Sequence, residues 1–344
     1  MRIALDATYA LDRMPTGVSV YSRQILSGLA RAHPEAEFLH CYRPHRFLKS
    51  FRESVPANCR RRLLAEFSRF GSAALFHGLN QRLPEARQRR AVATFHDLFV
   101  LSGDYSAPEF RRRFAGQARH AAEAADLLVA VSRFTASQLE DLLGVEPARI
   151  RVVPHGVHRP AGRLPETAER EKIVLHVGAV QRRKNVPRLV EAFERMPPGW
   201  RLVLAGSAGY GAAEIFARIE RSARRAGIEV TGYLAAAQLE RLYARASVFA
   251  FPSLDEGFGM PVLEAMARGL PVLTSRGSAL QEVAGDAALL VDPHDTDAIA
   301  GALRALAESS DLRNKLSGLG LARAEDFSWD AAARSTWAVY CEVL

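Results

Sequence analysis

Two acids, Glu256 and Glu264, flank a glycine-containing loop, and seven residues lie between them. A helix is predicted to begin at Pro261 and to end at Gly269, since proline favours the first helical position and glycine the position after the last. The amide groups of residues 257–260 would then line a helix start, where anions bind. Carboxylates accept hydrogen bonds from the paired hydroxyls of a ribose or hexose. The segment therefore indicates a nucleotide-sugar pocket, and the alternative is a tight turn with Glu264 on a solvated helix face.

A basic loop, residues 178–185, follows a predicted strand and includes Arg183 and Lys184. The chain has four lysines against 42 arginines, so a lysine among arginines indicates a need for a compact point charge. Cations at this place can neutralise a diphosphate, although a solvated basic loop has the same composition. The glycine-rich loop 206–211 either approaches a ligand closely or only turns the chain.

Short apolar runs alternate with helical stretches along the whole chain and would position these loops. Many are continuous runs of Val, Ile, Leu and Ala, as expected of strands buried on both faces of a parallel sheet. Such alternation predicts doubly wound α/β domains, in which ligands bind beyond the carboxyl ends of the strands. The predicted strands are residues 3–7, 38–42, 74–77, 91–95, 127–131 and 150–153, and then 173–177, 201–205, 229–232, 248–251, 271–274 and 288–291.

A connector rich in helix breakers, residues 159–165, divides the chain. We predict an N-terminal domain over residues 1–163 and a C-terminal domain over residues 164–329. The 344 residues are too many for one typical core and suffice for two. Hydrophobic residues make up 48% and charged residues 24%, which is typical of a soluble globular protein.

Several simple features favour a cytoplasmic protein. No apolar run approaches the roughly 18 residues that span a bilayer. The N-terminus reads as a first strand without the apolar region and cleavage site of a signal peptide. The three cysteines are isolated and lack metal-binding spacing, so we expect reduced thiols at Cys41, Cys59 and Cys341.

Positive charge is concentrated in the first half of the chain. Residues 1–160 carry 24 Lys and Arg against 15 Asp and Glu, whereas the remainder carries 22 against 23. This bias favours anionic partners such as acidic lipid headgroups or phosphorylated carriers, and a solvated face in an arginine-rich protein is the alternative. Nucleic acid is disfavoured because no zinc-finger spacing or aromatic RNA-binding signature accompanies the arginines.

The stretch from Glu256 to Glu264 resembles the paired-glutamate motif of the family 4 retaining glycosyltransferases. Further segments are similar to that family in the same order along nearly the whole chain: residues 16–21, 95–98, 131–134, 152–157, 183–185, 278–287 and 327–329. The resemblance implies the α/β architecture called GT-B, with two facing Rossmann-like doubly wound domains that have parallel sheets. It also implies that a terminal helix, residues 330–344, crosses back to the first domain.

The resemblance assigns roles in the second domain. Arg183 and Lys184 would neutralise the diphosphate, Glu256 would contact the transferred sugar, and Glu264 would hold the ribose hydroxyls. Backbone groups for the sugar and phosphates would come from Phe258, Gly259 and Met260. The base would meet residues 231–233, which include Gly232 and Tyr233.

In the first domain, the resemblance implies that Gly17 closes on the diphosphate and that His96 lies near the reacting centre. A packed histidine at a strand end is the alternative for His96. His155 occupies a position that is more usually asparagine in the family, so no catalytic role is assigned to it. The N-terminal loop has one glycine where many relatives have two.

The resemblance implies metal-independent, retaining transfer of a hexose from a nucleotide diphosphate sugar to a glycan or lipid-linked saccharide. Within the family, the chain most resembles the mannosyl- and rhamnosyltransferases that build bacterial surface polysaccharides such as lipopolysaccharide. This resemblance favours GDP-mannose or a GDP-deoxyhexose as donor and no other cofactor. No carboxylate pair supports double displacement, so same-face attack is expected. The leaving-group charge would be stabilised by protein cations.

Three other functions fit parts of the pattern. A nucleotide-sugar epimerase shares the two-domain architecture and would turn over donor without an acceptor. A non-catalytic nucleotide-sugar-binding partner of an assembly complex would bind donor without transfer. An NAD-dependent Rossmann protein is disfavoured because no Gly-x-Gly-x-x-Gly follows the first strand.

A predicted helix, residues 108–122, suggests where the basic domain would dock at the inner face of the cytoplasmic membrane. Phe110 and Phe114 are four apart and share a helical face. The adjacent arginines, residues 111–113, would present charge to headgroups along that apolar surface.

Overall fold

The computed structural model describes residues 1–12, 14, 16–160 and 162–344. These residues form two compact units. Unit 1 comprises Met1–Gly156 and Phe327–Leu344, and unit 2 comprises Val157–Asp326. The sequence-based boundaries, 163/164 and 329/330, lie slightly later in the chain, and Ala161 of the breaker-rich connector lies outside the described residues.

Unit 1 is built on a parallel sheet of seven strands in the order β3-β2-β1-β4-β5-β6-β7. The strands are β1 Arg2–Asp6, β2 Glu37–Tyr42, β3 Cys59–Leu63, β4 Leu75–Gly78, β5 Ala91–Phe95, β6 Leu127–Ala130 and β7 Ile150–Val152. The helices are α1 Gly17–Ala32, α2 Pro44–Ser50, α3 Phe99–Ser102, α4 Pro108–Ala124 and α5 Arg133–Leu143. Strand order reverses direction between β1 and β4, which defines the switch point of this sheet.

Unit 2 repeats this plan with a parallel sheet of six strands in the order β10-β9-β8-β11-β12-β13. The strands are β8 Glu171–Val177, β9 Arg201–Ala205, β10 Ile228–Gly232, β11 Ala246–Phe251, β12 Val272–Ser275 and β13 Ala288–Val291. The helices are α6 Val186–Glu194, α7 Ala212–Glu220, α8 Ala236–Arg245, α9 Met260–Met266, α10 Ala279–Ala284, α11 Thr296–Glu308 and α12 Ser310–Glu325. Here the switch point lies between β8 and β11.

The last helix, α13 (Trp329–Val343), belongs to unit 1. The Tyr340 hydroxyl lies 2.6 Å from Nδ1 of the buried His77 on β4. His77 Nε2 in turn lies 2.8 Å from the Thr94 hydroxyl on β5, which is 2.9 Å from the Tyr21 hydroxyl on α1. This buried polar chain fixes α13 on the sheet, since breaking it would leave buried groups without hydrogen bonds.

The sequence predicted twelve of the strands within a few residues and missed β3. Its residues are mostly charged, with Arg60, Arg61 and Arg62 in succession. A central strand would have to bury these side chains, but β3 lies at the edge of the sheet, where charged residues are tolerated and discourage pairing with other strands. In the described residues, no helix has the length and apolarity needed to cross a membrane.

Candidate functional site

The loops after β8 and β11 meet at the switch point of unit 2. The amide of Leu254 donates to the carbonyl oxygen of Arg183 at 2.8 Å, and the Ser253 hydroxyl oxygen lies 3.0 Å from the same carbonyl oxygen. Asn185 donates from Nδ2 to the carbonyl of Pro252 at 3.0 Å. Asn185 has φ of 57° and is the only non-glycine residue with positive φ in the part of the chain that the structure describes. The basic loop and the glutamate loop are therefore tied together by backbone geometry as well as by side chains.

A buried charge cluster lies at this junction. The Glu256 carboxylate pairs with Arg183 Nη1 at 2.9 Å and with Lys184 Nζ. The Ser253 hydroxyl donates to the same carboxylate at 2.6 Å. Arg183, Lys184 and Glu256 are each only 7% exposed. The two cations therefore share one carboxylate, and the three side chains together carry one net positive charge.

The electrostatics of this cluster keep the Glu256 carboxylate ionised at neutral pH. Burial raises the pKa of Glu256, but Arg183 and Lys184 outweigh it and lower that pKa to about 2. Lys184 Nζ also lies 4.6 Å from the centroid of the Phe251 ring, which adds a cation–π contact. Such a fixed cationic group in a buried site can stabilise a ligand anion without reorganising.

His176 is a buried, uncharged side chain beside the cluster. Its ring is stacked on Phe251 with centroids 5.3 Å apart, and Nδ1 is 3.0 Å from the carbonyl oxygen of Ala250. Burial, with a smaller contribution from Lys184, lowers the pKa of His176 to about 4. The sequence analysis assigned no role to His176, Ser253 or Asn185, although each lies in or beside a loop that it singled out.

Glu264 belongs to a separate hydrogen-bonded group. Its carboxylate accepts a hydrogen bond of 3.0 Å from the Tyr243 hydroxyl. Arg268 donates to the backbone carbonyl of Glu264 at 2.9 Å and pairs with Glu240 through Nε at 2.8 Å. Burial raises the pKa of Glu264, and Arg268 and Tyr243 partly oppose that shift. Tyr243 thus orients the carboxylate that the family resemblance assigns to binding of the ribose hydroxyls.

The helix between the two acids differs slightly from the prediction. α9 begins at Met260, so Pro261 takes its second position, and the helix ends at Met266 instead of continuing to Gly269. The reason is that residues 267–269 form a turn in which Gly269 has φ of 67°. Gly259 precedes the helix with φ of 95°, and a Cβ there would lie 2.3 Å from Leu280. Only glycine fits that position without rearrangement.

The backbone of Phe258, Gly259 and Met260 therefore lies directly after Glu256, at the start of α9. At the end of the edge strand β10, Gly232 has φ of 69°, and Tyr233 is 44% exposed. These positions lie on loops after β11 and β10, at the carboxyl edge of one sheet. Their proposed contacts with sugar, phosphate and base remain predictions.

The glycine-rich loop 206–211 packs against the basic loop. A Cβ on Gly206 would lie 2.0 Å from the carbonyl oxygen of Gly178, and one on Gly211 would lie 2.6 Å from the side chain of Arg182. The amide of Val180 donates to the carbonyl of Ser207 at 2.8 Å. This loop therefore supports the backbone that carries Arg183 and Lys184.

The two predicted residues of unit 1 have different environments. Gly17 is the exposed first residue of α1, next to a Thr16–Ser19 capping box. His96 is buried: Nε2 is 3.0 Å from the carbonyl oxygen of Leu79, and Nδ1 is 3.4 Å from Nε2 of His155. Burial lowers the pKa of His96 to about 4, so the ring is neutral near pH 7. His155, to which the sequence gave no role, is its buried neighbour.

The helix expected to dock on a membrane has less exposed apolar surface than predicted. Phe110 and Phe114 do share a face, with ring centroids 6.1 Å apart. However, Phe114 is buried in the core of unit 1, because that face of α4 packs towards the sheet. Arg111 pairs with Asp104 at 2.6 Å. Only Phe110 of the two aromatic residues remains exposed.

Two doubly wound parallel sheets, the second with a buried cationic site at its switch point, have the GT-B fold. A solved structure of sucrose-phosphate synthase from Thermosynechococcus elongatus has the same fold, with a TM-score of 0.79, 22% identity, and coverage of 99% of this chain and 98% of that one. The Anabaena protein HepE, solved in complex with UDP and glucose, gives a TM-score of 0.73 at 17% identity and covers 99% of this chain and 100% of its own.

Sequence comparison identifies the family. Residues 15–159 match "Glycosyltransferase Family 4", and residues 163–319 match "Glycosyl transferases group 1". The chain is 33% identical over 281 residues to O-antigen chain mannosyltransferase B of Escherichia coli, covering 77% of this chain and 74% of that protein. It covers 62% to 68% of several relatives named D-inositol 3-phosphate glycosyltransferase. The chain belongs to glycosyltransferase family 4.

Proposed function

We propose that this glycosyltransferase moves a hexose from a nucleoside diphosphate sugar to a glycan or lipid-linked saccharide with retention of anomeric configuration. The observation that carries the proposal is the buried cluster of Arg183, Lys184 and Glu256 at the switch point of unit 2. Two fixed cations with one carboxylate suit a diphosphate, because negative charge grows on that group as the glycosidic bond breaks.

The donor would be held along the carboxyl edge of the unit 2 sheet. Glu264, oriented by Tyr243, would accept hydrogen bonds from the ribose hydroxyls, and Gly232 and Tyr233 would contact the base. Glu256 would contact the transferred sugar while it fixes the two cations. The amides of Phe258, Gly259 and Met260 would serve the sugar and phosphates, and Gly17 would contribute from unit 1.

We further propose that the reaction needs no metal ion and follows same-face displacement. Arg183 and Lys184 would supply the positive field that a metal supplies elsewhere. The leaving phosphate would accept the proton of the attacking hydroxyl. A neutral His96 would orient the sugar by hydrogen bonding, since its lowered pKa makes it a poor cation at neutral pH.

The donor we favour is GDP-mannose, and the product we favour is a bacterial surface polysaccharide. Support comes from the relative named as an O-antigen mannosyltransferase. The UDP and glucose bound to HepE give UDP-glucose as the competing donor. A thermal-shift screen of GDP-, UDP-, ADP- and dTDP-sugars with the full chain tests the choice, because a ligand that binds the folded state raises apparent stability.

The decisive experiment combines that screen with an NMR assay of the anomeric configuration of product. We expect stabilisation by one nucleotide sugar and an α-linked product from an α-linked donor. An inverted product would refute the retaining mechanism. Donor converted to an epimer without an acceptor would instead support an epimerase, and binding without turnover on any acceptor would support a non-catalytic partner.

A further inference from the structure

A surface of unit 1 formed by α2, β3 and the turn after β3 exposes large apolar side chains. Phe67 and Leu48 are 82% and 80% exposed, the highest values among the large apolar residues that the structure describes. Phe51 is 61% exposed and Leu63 is 47% exposed. We call these four residues, with the basic residues around them, the α2–β3 surface. Exposed apolar patches rimmed by polar residues are typical of binding surfaces.

The four apolar residues lie on connected parts of the chain. Leu48 and Phe51 are three positions apart and share a face at the end of α2. Arg61 of β3 donates from Nε to the Ser50 carbonyl at 3.1 Å, and its guanidinium carbon lies 5.1 Å from the Phe51 ring centroid. Leu63 is two residues after Arg61 and therefore projects from the same face of β3.

Phe67 lies shortly after the end of β3. The amide of Ser68 donates to the carbonyl of Ala65 at 3.1 Å, so residues 65–68 form a turn that begins two residues after Leu63. Phe67 lies within this turn and is largely exposed to solvent. The turn therefore adds a further exposed aromatic side chain next to the end of β3.

Strong positive charge surrounds the patch. Residues 43–69 contain eight Lys and Arg but only two acids. Lys49 and Arg52 are exposed and directly follow Leu48 and Phe51, and Arg69, two residues after Phe67, is exposed as well. Arginines on an edge strand also discourage strand pairing, but that function does not require exposed phenylalanine and leucine beside them. Apolar side chains within a cationic rim match the interfacial region of a membrane with anionic headgroups.

We propose that the α2–β3 surface docks this protein on an anionic membrane. The apolar side chains enter the boundary between headgroups and acyl chains, and the basic side chains contact the headgroups. The inference rests on the proposed function in one respect: docking would bring the enzyme to a lipid-linked acceptor. It moves the docking surface away from α4, where Phe114 is buried and Arg111 is paired with Asp104.

The test measures co-sedimentation of the full chain with vesicles of phosphatidylcholine alone or enriched in phosphatidylglycerol, at low and high salt. We expect wild type to bind only the anionic vesicles and to lose binding at high salt. The variant Leu48→Ser/Phe51→Ser/Phe67→Ser should bind at least about tenfold more weakly, since each apolar group that leaves water favours attachment. The matched control, Arg111→Gln/Arg112→Gln/Arg113→Gln, should remain within roughly twofold of wild type.

Equal binding to neutral vesicles, or loss of binding in the α4 control with retention in the apolar variant, would overturn the proposal. So would a dimer in solution that the apolar substitutions dissociate, because the surface would then join two copies. If the triple variant unfolds, Phe67→Ser alone must still weaken binding several-fold. Transfer of sugar to a water-soluble acceptor should be the same in wild type and in the variants. If no sample, including wild type, transfers sugar, the transferase proposal is refuted and the docking result still stands.

Discussion

Replacement of Lys184 by methionine is the sharpest test of the proposed donor site. Methionine keeps an unbranched side chain against the Phe251 ring, with which sulfur also makes favourable contacts. It removes one of the two cations that share the Glu256 carboxylate. The remaining partners, Arg183 at 2.9 Å and Ser253 at 2.6 Å, still hold that carboxylate. The change therefore isolates the ammonium charge better than truncation to alanine does.

The expected magnitude follows from the position of that charge. One preorganised donor facing a developing anion contributes about 3 kcal/mol to the transition state, so turnover should fall about 100-fold or more. Breaking a buried ion pair completely costs about 3–5 kcal/mol of folding stability. Here the cost should be smaller, because Glu256 keeps its pair with Arg183.

The assay is steady-state transfer with the donor that stabilises the protein, with kcat and KM measured separately. The control is Lys315→Met, which changes an exposed lysine on α12 in the same unit. Thermal denaturation of both variants establishes that the fold is intact. A folded Lys184→Met protein with near wild-type kcat would refute the assignment of Lys184 to the leaving group.

Four further outcomes are expected. Glu264→Gln should mainly raise the KM for donor and Glu256→Gln mainly lower kcat, because a ribose contact is similar in ground and transition states; steady-state kinetics showing the reverse would exchange the two roles. Transfer should persist in EDTA, and restoration by magnesium or manganese of activity lost to EDTA would contradict the metal-free mechanism. The pKa of Glu256 is lowered from 4.5 to about 2, so its ionised form stabilises the fold above pH 4.5, and this stability is lost as pH falls towards 2. The difference in free energy of unfolding between wild type and Glu256→Gln, measured in urea, should therefore shrink by on the order of 3 kcal/mol over that range. Tyr340→Phe should lower the free energy of unfolding in urea by about 1–3 kcal/mol, because it leaves Nδ1 of the buried His77 without its hydrogen-bond partner; an unchanged midpoint would mean that the contact does not anchor α13.

The fold was accessible from the sequence because most strands are buried on both faces. Their apolar runs stand out against the helical periodicity that separates them. β3 carries no such signal, since its edge position lets Arg60, Arg61 and Arg62 stay in contact with solvent. Helical spacing placed Phe110 and Phe114 on one face of α4, but spacing alone does not tell which face packs on the sheet.

The site was only partly accessible. Loop position and residue type pointed to Arg183, Lys184 and Glu256 separately, but the two loops lie about 70 positions apart in the chain and their ion pairs depend on strand order. Tyr243 lies 21 positions before Glu264, and nothing in its local sequence marks it as the partner of that carboxylate. Asn185 became interpretable only through its positive φ and its bonds to neighbouring loops.

The charge balance of the cluster connects its stability with its proposed function. Two buried cations side by side are unfavourable for folding, and a carboxylate that pairs with both of them reduces that cost. Glu256 makes both pairs and so holds Arg183 and Lys184 in fixed positions. The three side chains together still carry one net positive charge, which supplies the field that we propose for the diphosphate. Glu256 therefore limits the cost of assembling the two cations without removing their attraction for the leaving group.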